Sequence, residues 1–345
     1  MLKIYTLEDL TGWDSTIRSF SDHDVYYLSG YVKAFQLHGD GEPLLFYYED
    51  EAVRGINVVM KRDIAKDVHF AGKLPEGQYF DFSTPYGYGG WLIEGEQTDS
   101  LFDAYESWCR ENGIISEFVR FHPVLKNHIY SEKRYEVIPL SNTIALDLSS
   151  PEVIWAGLTS KNRNMVRKAQ KNGVRIYHGR YPEIFEKFRT IYNGTMDKDQ
   201  AEKYYYFSEG FYHSVLNDLP QEAQIFYAQI EDGTIVAASI MLTANGRMNY
   251  HLSGSLREYQ NMAPSNLLLY EAALWGGTNG CKTMHLGGGV GSQEDSLYQF
   301  KKAFYRGEPC RFHIGRKIFL PEQYKNLEAL RIDFPDGAFF PRYRA

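Results

Sequence analysis

Two distant stretches of this chain share one pattern of apolar and polar positions. LLFYYEDEAVRGINVVM (44–60) runs apolar, turns on acidic residues and runs apolar again, and FYAQIEDGTIVAASIM (226–241) repeats the plan. At an offset of 182 residues Glu49 and Asp50 match Glu231 and Asp232, and the same offset pairs Val53 with Ile235, Val58 with Ile240 and Val59 with Met241. Apolar runs on either side of a tight polar turn predict a hairpin in each place, the second turning on Asp232-Gly233. A third strand is predicted over 247–253, after Asn245-Gly246. One hairpin repeated across half the chain points to two domains of one architecture.

Between the hairpins the apolar period becomes that of helices. A strand at 143–148 leads to Ser150, Pro151 and Glu152, which together read as a helix start: a capping hydroxyl, a residue that needs no N–H, and an acid at the positive end of the dipole. Thr159 or Ser160 caps the next helix, Met165, Val166 and Ala169 form its apolar face, and Gly173 is placed to end it in a left-handed conformation. Further helices are predicted over 182–192, 206–219, 264–275 and 293–304, with a strand at 282–286. In the last helix Leu297, Phe300 and Phe304 fall at i, i+3 and i+7 and are expected to be buried. Lys301 lies at the edge of that face, where a lysine ordinarily carries its ammonium out to water. The plan is a mixed α/β (α+β) layer arrangement. The expected domains are 1–148, with 321–345 as a candidate completing segment, and 149–320.

Charge sharpens the picture. The chain has 345 residues and a formal net charge of -7, yet 161–180 holds seven cations (Lys161, Arg163, Arg167, Lys168, Lys171, Arg175 and Arg180) and no acid. Arg163, Arg167 and Lys171 line one side of the predicted helix, with Lys168 beside them. Like charges four residues apart repel by a few tenths of a kcal/mol. The stripe is therefore either a solvated face or the seat of an anion. Phosphate on a tRNA or a nucleotide diphosphate suits a local patch; the acidity of the remaining chain argues against a general DNA binder.

Other features exclude more than they assign. The opening MLKIYTLEDL has no basic stretch followed by an apolar core, and no uncharged apolar run approaches the ~18 to 20 residues that span a bilayer. Three cysteines without C-x-x-C spacing suit reduced thiols, so the expectation is a soluble, cytoplasmic protein. The ten histidines show no metal-ligand spacing and no G-x-S-x-G elbow occurs, so no metal is expected and direct transfer is favoured over a covalent enzyme intermediate. YFDFSTPYGYGG (79–90) reads either as a ligand-lining loop or as a tight loop whose rings fill the core. In HLGGGVGSQEDSLYQFKKAF (285–304) three glycines follow a strand without the Lys-Ser/Thr of a phosphate loop.

Taken together the motifs resemble a known family. Leu158, Lys161, Arg163, Asn164, Arg167, Lys168, Ala169, Lys171, Gly173 and Val174 look like the opening of the second domain in Fem-type proteins, the peptidoglycan bridge-forming aminoacyltransferases. The later glycines followed by Leu297, Phe300, Lys301 and Phe304 are similar to that family's C-terminal signature, and the segment around Tyr250 to its central strand and loop. The resemblance covers roughly 143–320. It implies tandem GNAT-like N-acyltransferase domains, each a mixed, mostly antiparallel sheet flanked by helices, and a reaction in which an amine attacks an aminoacyl ester on tRNA. The acceptor would be a UDP-linked or lipid-linked muropeptide, the latter bringing peripheral membrane contact. Aminoacyl-tRNA would be the co-substrate, with no resident cofactor.

The resemblance also implies site residues. Phe300 and Lys301 would lie at the tRNA 3′ end or the reacting carbonyl, with Lys301 stabilising negative charge. Tyr250, Tyr204, Tyr205 and Tyr206 would line the acceptor cleft, and Lys33 would hold a diphosphate. His251 and His285 are candidate proton acceptors, as is a substrate carboxylate. The sequence departs from the pattern in two places. The first-domain element R-G-P-x-x-D stands here as Tyr88-Gly89-Gly90-Trp91-Leu92-Ile93, and the GNAT pyrophosphate loop falls on Gln260 to Ser265 without its glycines and with Pro264 among the donors. Two rival expectations stay open: an acyl-CoA-dependent N-acyltransferase acting on an amino sugar of a surface polysaccharide, and a non-catalytic protein that binds tRNA or a nucleotide sugar.

Overall fold

The computed structural model describes residues 1–331 and 339–345. The chain runs through β1 (Leu2–Tyr5), α1 (Leu10–Arg18), α2 (Ser29–His38), β2 (Glu42–Glu49), β3 (Val53–Asp63), β4 (Phe80–Ser83), β5 (Leu92–Gly95), α3 (Asp99–Glu111), β6 (Ile114–Arg120) and β7 (Glu136–Asp147). It continues through α4 (Pro151–Gly157), α5 (Ser160–Lys171), β8 (Arg175–Gly179), α6 (Pro182–Lys198), α7 (Glu209–Asp218), β9 (Ala223–Gln229), β10 (Ile235–Ala244) and β11 (Arg247–Ser255). The last elements are α8 (Pro264–Thr278), β12 (Thr283–Gly287), α9 (Ser296–Lys302), β13 (Cys310–Ile318) and α10 (Pro321–Ala329).

These elements fall into two compact units, Met1–Leu140 with Phe312–Ala345, and Ser141–Arg311. The expected breaks after 148 and 320 lie eight and nine residues further along the chain. Part of the expected closing segment, 332–338, lies outside the described residues.

Each unit has the same strand plan. In the first the order is β1, β2, β3, β4, β6, β13; in the second it is β8, β9, β10, β11, β12, β7. Neighbours are antiparallel except β4 with β6 and β11 with β12, which are parallel. A parallel pair needs a crossover, and α3 and α8 supply it. Two helices also follow the first strand of each sheet, α1 and α2 in one, α6 and α7 in the other. The paired hairpins legible in the sequence are β2 with β3 and β9 with β10. The sixth strand follows a different logic. β7 comes directly after the first unit's strands yet its residues 144–147 pair with β12, while the first unit receives β13 from the far end of the chain.

Three of the expected helix caps stand where the sequence places them. Ser150 accepts from Val153 N, Thr159 accepts from Asn162 N, and Gly173 sits at φ 74° after α5. In the second unit α8 packs on α5 and on the sheet around Ile144, Leu146, Val166, Phe226, Met241 and Met248. Such a fully buried cluster is where most of the folding free energy arises.

The first unit buries Phe46, Trp91, Phe102 and Tyr105 together. Its residues near the C-terminus insert Tyr343 beside Phe70 and Ile115. There Asp81, fully buried on β4, accepts from Arg62 Nε (2.8 Å), Tyr343 Oη (3.0 Å) and Arg344 Nε. The 79–90 segment takes the core-filling alternative: the buried Tyr88 ring meets Tyr26 edge-on at 5.5 Å, and Tyr86 stacks on Phe35 at 5.7 Å. No described helix is long and apolar enough to cross a membrane.

Candidate active site

In the second unit the sheet opens between its two parallel strands. β11 and β12 are registered only from Arg247 against Thr283 to Asn249 against His285. Beyond that point β11 bulges: Met241 faces Tyr250, but Ile240 faces Leu252, so His251 is the extra residue. A bulge bends its strand and increases the local twist. Ladder pairing thus stops at Asn249 and His285, and the candidate cleft lies where the two strands run on without pairing to each other, past Tyr250 on β11 and toward the turn after Gly287 on β12.

Lys301 enters that opening from α9. It is 8% exposed, and its Nζ donates to Gly288 O at 2.6 Å on the β12 side while standing 5.9 Å from the centroid of the Tyr250 ring on the β11 side. One ammonium therefore spans the unpaired stretch. Burial pushes its pKa down to about 8, with Asp295 opposing that shift. The reach to solvent that helix position alone gives Lys301 does not occur, and the expected burial of Leu297 is overturned, since it is exposed.

The reason is the start of α9. Asp295 accepts from Tyr298 N (2.9 Å) as the N-cap and from Val290 N (3.1 Å) in the glycine turn, so the helix opens at Ser296 rather than 293. That phase turns Tyr298 and Lys301 inward. Gly289 is needed in this clasp, since a Cβ there would lie 2.0 Å from Gln293 O and 2.3 Å from Asp295 Oδ1.

The remaining expected site residues divide. Phe300 is half-buried beside Phe304 (ring centroids 5.4 Å apart) on the same core. His251 sits at the bulge next to Tyr250, and burial lowers its pKa to about 3, leaving a neutral imidazole with little appetite for a proton. His285, on β12, shares a hydrogen bond between Nε2 and Thr143 Oγ1 (2.9 Å), and Thr143 Oγ1 also reaches Cys310 O (3.2 Å). That bond holds the ring within the sheet. Tyr204, Tyr205 and Tyr206 form a short turn after α6, with Tyr206 Oη donating to Asp197 at 2.8 Å. Beside them lies an open depression of about 590 Å³ lined by Arg189, Asn193, Asp197 and Phe207. Lys33 is on α2 of the first unit, half-buried.

The basic segment is less uniform than its sequence suggests. Arg163 donates to Leu158 O (3.0 Å) and Trp155 O (3.4 Å), closing the C-terminus of α4, and Arg180 likewise closes α7 through Leu216, Leu219 and Ala223 carbonyls. Both are positioned by helix ends that carry partial negative charge. Lys161, Arg167, Lys168, Lys171 and Arg175 remain exposed. Arg167 lies over the Trp155 ring at 5.1 Å, and Arg306 adds a cation where α5 begins, bonding Ser160 Oγ at 3.4 Å. Asp295, Asn162 and Arg306 were not singled out from the sequence; the Asp-Ser-Leu-Tyr start of α9 was a readable capping signal.

At the start of α8 few backbone donors are free. Pro264 has no N–H, and those of Asn266 and Leu267 both point to Ala263 O at 3.2 and 3.4 Å. An isolated helix N-terminus normally offers several. Among the described residues no group of three or more His, Cys, Asp or Glu is placed to hold a metal ion.

Comparison with known proteins bears on the fold. Residues 160–302 match the acetyltransferase (GNAT) domain family. The structure of FemX superposes with a TM-score of 0.67 at 13% identity, covering 95% of this chain and all of that one. L-PGS from Bacillus licheniformis gives 0.55 at 14% identity over 82% of this chain and 86% of its own. A conserved protein of unknown function from Bacteroides thetaiotaomicron gives 0.58 at 13% identity, over 92% and 99%. No curated protein matches the chain in sequence.

Proposed function

We propose that this chain, whose residues 160–302 match the GNAT acetyltransferase domain family and whose fold is that of FemX, is an acyltransferase that moves an aminoacyl group from tRNA to an amine on a cell-envelope precursor such as a muropeptide. The observation that carries the proposal is the Lys301 ammonium held in the cleft between β11 and β12. When a neutral amine attacks an ester carbonyl, the C–N bond forms, the carbonyl oxygen becomes an oxyanion, and the C–O ester bond then breaks. A preorganised cation in a partly desolvated place stabilises that oxygen, or the leaving one, more than water does. The proton shed by the amine ends on the leaving hydroxyl. His251, kept neutral by burial, and His285, bonded to Thr143, are poorly suited to take it, which leaves a substrate group or water.

Two features favour tRNA over coenzyme A as donor. The exposed cations Arg167, Lys168 and Lys171 lie on α5, which packs against α8, and the start of α8 is short of the N–H groups a pyrophosphate would use. Direct calorimetry separates the two donors. Binding of aminoacyl-tRNA is expected to weaken as salt rises, and changing Arg167, Lys168 and Lys171 to Gln is expected to flatten that dependence by about 0.9 in log–log slope for each phosphate no longer neutralised. Arg163 is left in place because it closes α4. Tight acyl-CoA binding without affinity for tRNA would instead favour the amino-sugar N-acyltransferase.

A further inference from the structure

One polar side chain joins α5, α8 and the end of α9. Asn162, in the first turn of α5, is 1% exposed. Its Nδ2 donates to Ala303 O at 3.2 Å, and its Oδ1 accepts from Asn266 Nδ2 at 2.7 Å. Ala303 is the residue that ends α9, two positions after Lys301, and its carbonyl also accepts from Thr159 N at 2.9 Å. Asn266 belongs to the first turn of α8. The carboxamide therefore ties the opening of α8 to the end of α9 from the opening of α5, with both of its polar ends engaged.

The position is demanding for a structural role alone. α9 has only seven residues, too few to be stable in isolation, so its orientation depends on what holds its ends. Asp295 clasps the start through Tyr298 N and Val290 N. The end is held by Ala303 O, shared between Thr159 N and Asn162. Lys301 lies on the inward face between these two anchors. A small rotation of so short a helix would carry its ammonium away from Gly288 O and the Tyr250 ring and toward water.

We propose that Asn162 is a positioning residue for the transfer reaction, acting through α9 to keep the Lys301 ammonium in the cleft and through Asn266 to couple that placement to the start of α8. The proposal rests on the reading of Lys301 as the cation that stabilises developing charge. It differs from that reading in what it requires: Asn162 sets the environment of Lys301 before any substrate arrives.

The test therefore uses the free protein. Lysine Cε resonances are followed by ¹³C NMR across alkaline pH, with Lys301 assigned by the signal missing in Lys301→Met. In the wild type Lys301 is expected to titrate near 8; in Asn162→Ala it is expected to move up toward the ordinary 10.5, because α9 loosens and water reaches the ammonium. Asn266→Ala, which removes only the bond to Oδ1, is expected to shift it the same way by less, and serves if Asn162→Ala does not fold. A lowered unfolding temperature with an unmoved Lys301 titration in these variants would overturn the proposal, because a merely structural asparagine would give that result. Failure of the wild-type protein to transfer from tRNA would count against the donor assignment and leave this titration intact as a test.

Discussion

Lys301→Met is expected to cost about 10² to 10³ in single-turnover transfer, or about 2.7 to 4 kcal/mol of transition-state stabilisation, while the protein stays folded. The magnitude follows from where the ammonium stands. It is almost wholly buried, bonded to Gly288 O and close to the Tyr250 ring, so little water competes for it. The fold should tolerate the change, since a methionine of similar length fills the space and no longer has to be desolvated as an ion. Lys301→Arg should recover part of the rate only, because a planar guanidinium cannot reproduce a compact ammonium between two fixed partners. Saturating donor and a parallel thermal unfolding curve separate loss of chemistry from loss of fold. Near wild-type transfer in Lys301→Met would remove this side chain from the mechanism.

The largest stability effect is expected in the first unit. Asp81→Ala should destabilise it by about 3 to 5 kcal/mol, because the variant strands the buried Tyr343 hydroxyl and two half-buried guanidinium groups rather than removing a surface pair. Asp81 is completely buried and takes hydrogen bonds from Arg62, Tyr343 and Arg344, and Arg344 also reaches Asp67 Oδ2 at 2.7 Å. Without the carboxylate, two guanidinium groups lose their common acceptor and Tyr343 Oη keeps only Ser116, at 2.9 Å. Since Arg344 and Tyr343 come from the end of the chain, the C-terminal residues should become the first to exchange amide hydrogens. In a unit of this size each kcal/mol lowers the melting midpoint by about 2 to 4 °C. A loss under about 1 kcal/mol by denaturant titration would mean the network relaxes into water instead.

These two residues illustrate what the sequence reveals and what it withholds. Local chemistry was legible. The matched hairpins, the Ser150 and Thr159 caps and the left-handed Gly173 all follow from a few adjacent side chains. Pairing between distant segments was not, because nothing near β7 states that its end pairs with β12, or near β13 that it returns to β6. The same limit governed the site. The bulge at His251 is a property of β10 and β11 together, and the inward turn of Lys301 depends on where Asp295 starts α9. Charge counting is blind to partners for a related reason. A sequence shows that Arg163 and Arg180 are cationic, whereas only the folded chain shows that helix-end carbonyls already occupy them.

The central claim is that protonated Lys301 stabilises the charge formed during acyl transfer, and the pH dependence of the chemical step tests it most directly. The measurement is single-turnover transfer at saturating donor, with an acceptor whose amine is already neutral at pH 7, for wild type and Lys301→Met. With the pKa of Lys301 lowered to about 8, the active ammonium is present below that pH and lost above it. The wild-type rate should then be level below about pH 8 and fall tenfold per unit above it, while the small residual rate of Lys301→Met shows no such fall. A wild-type rate that climbs through pH 8, as a neutral lysine acting as base would give, or an unchanged fall in Lys301→Met, would contradict the account.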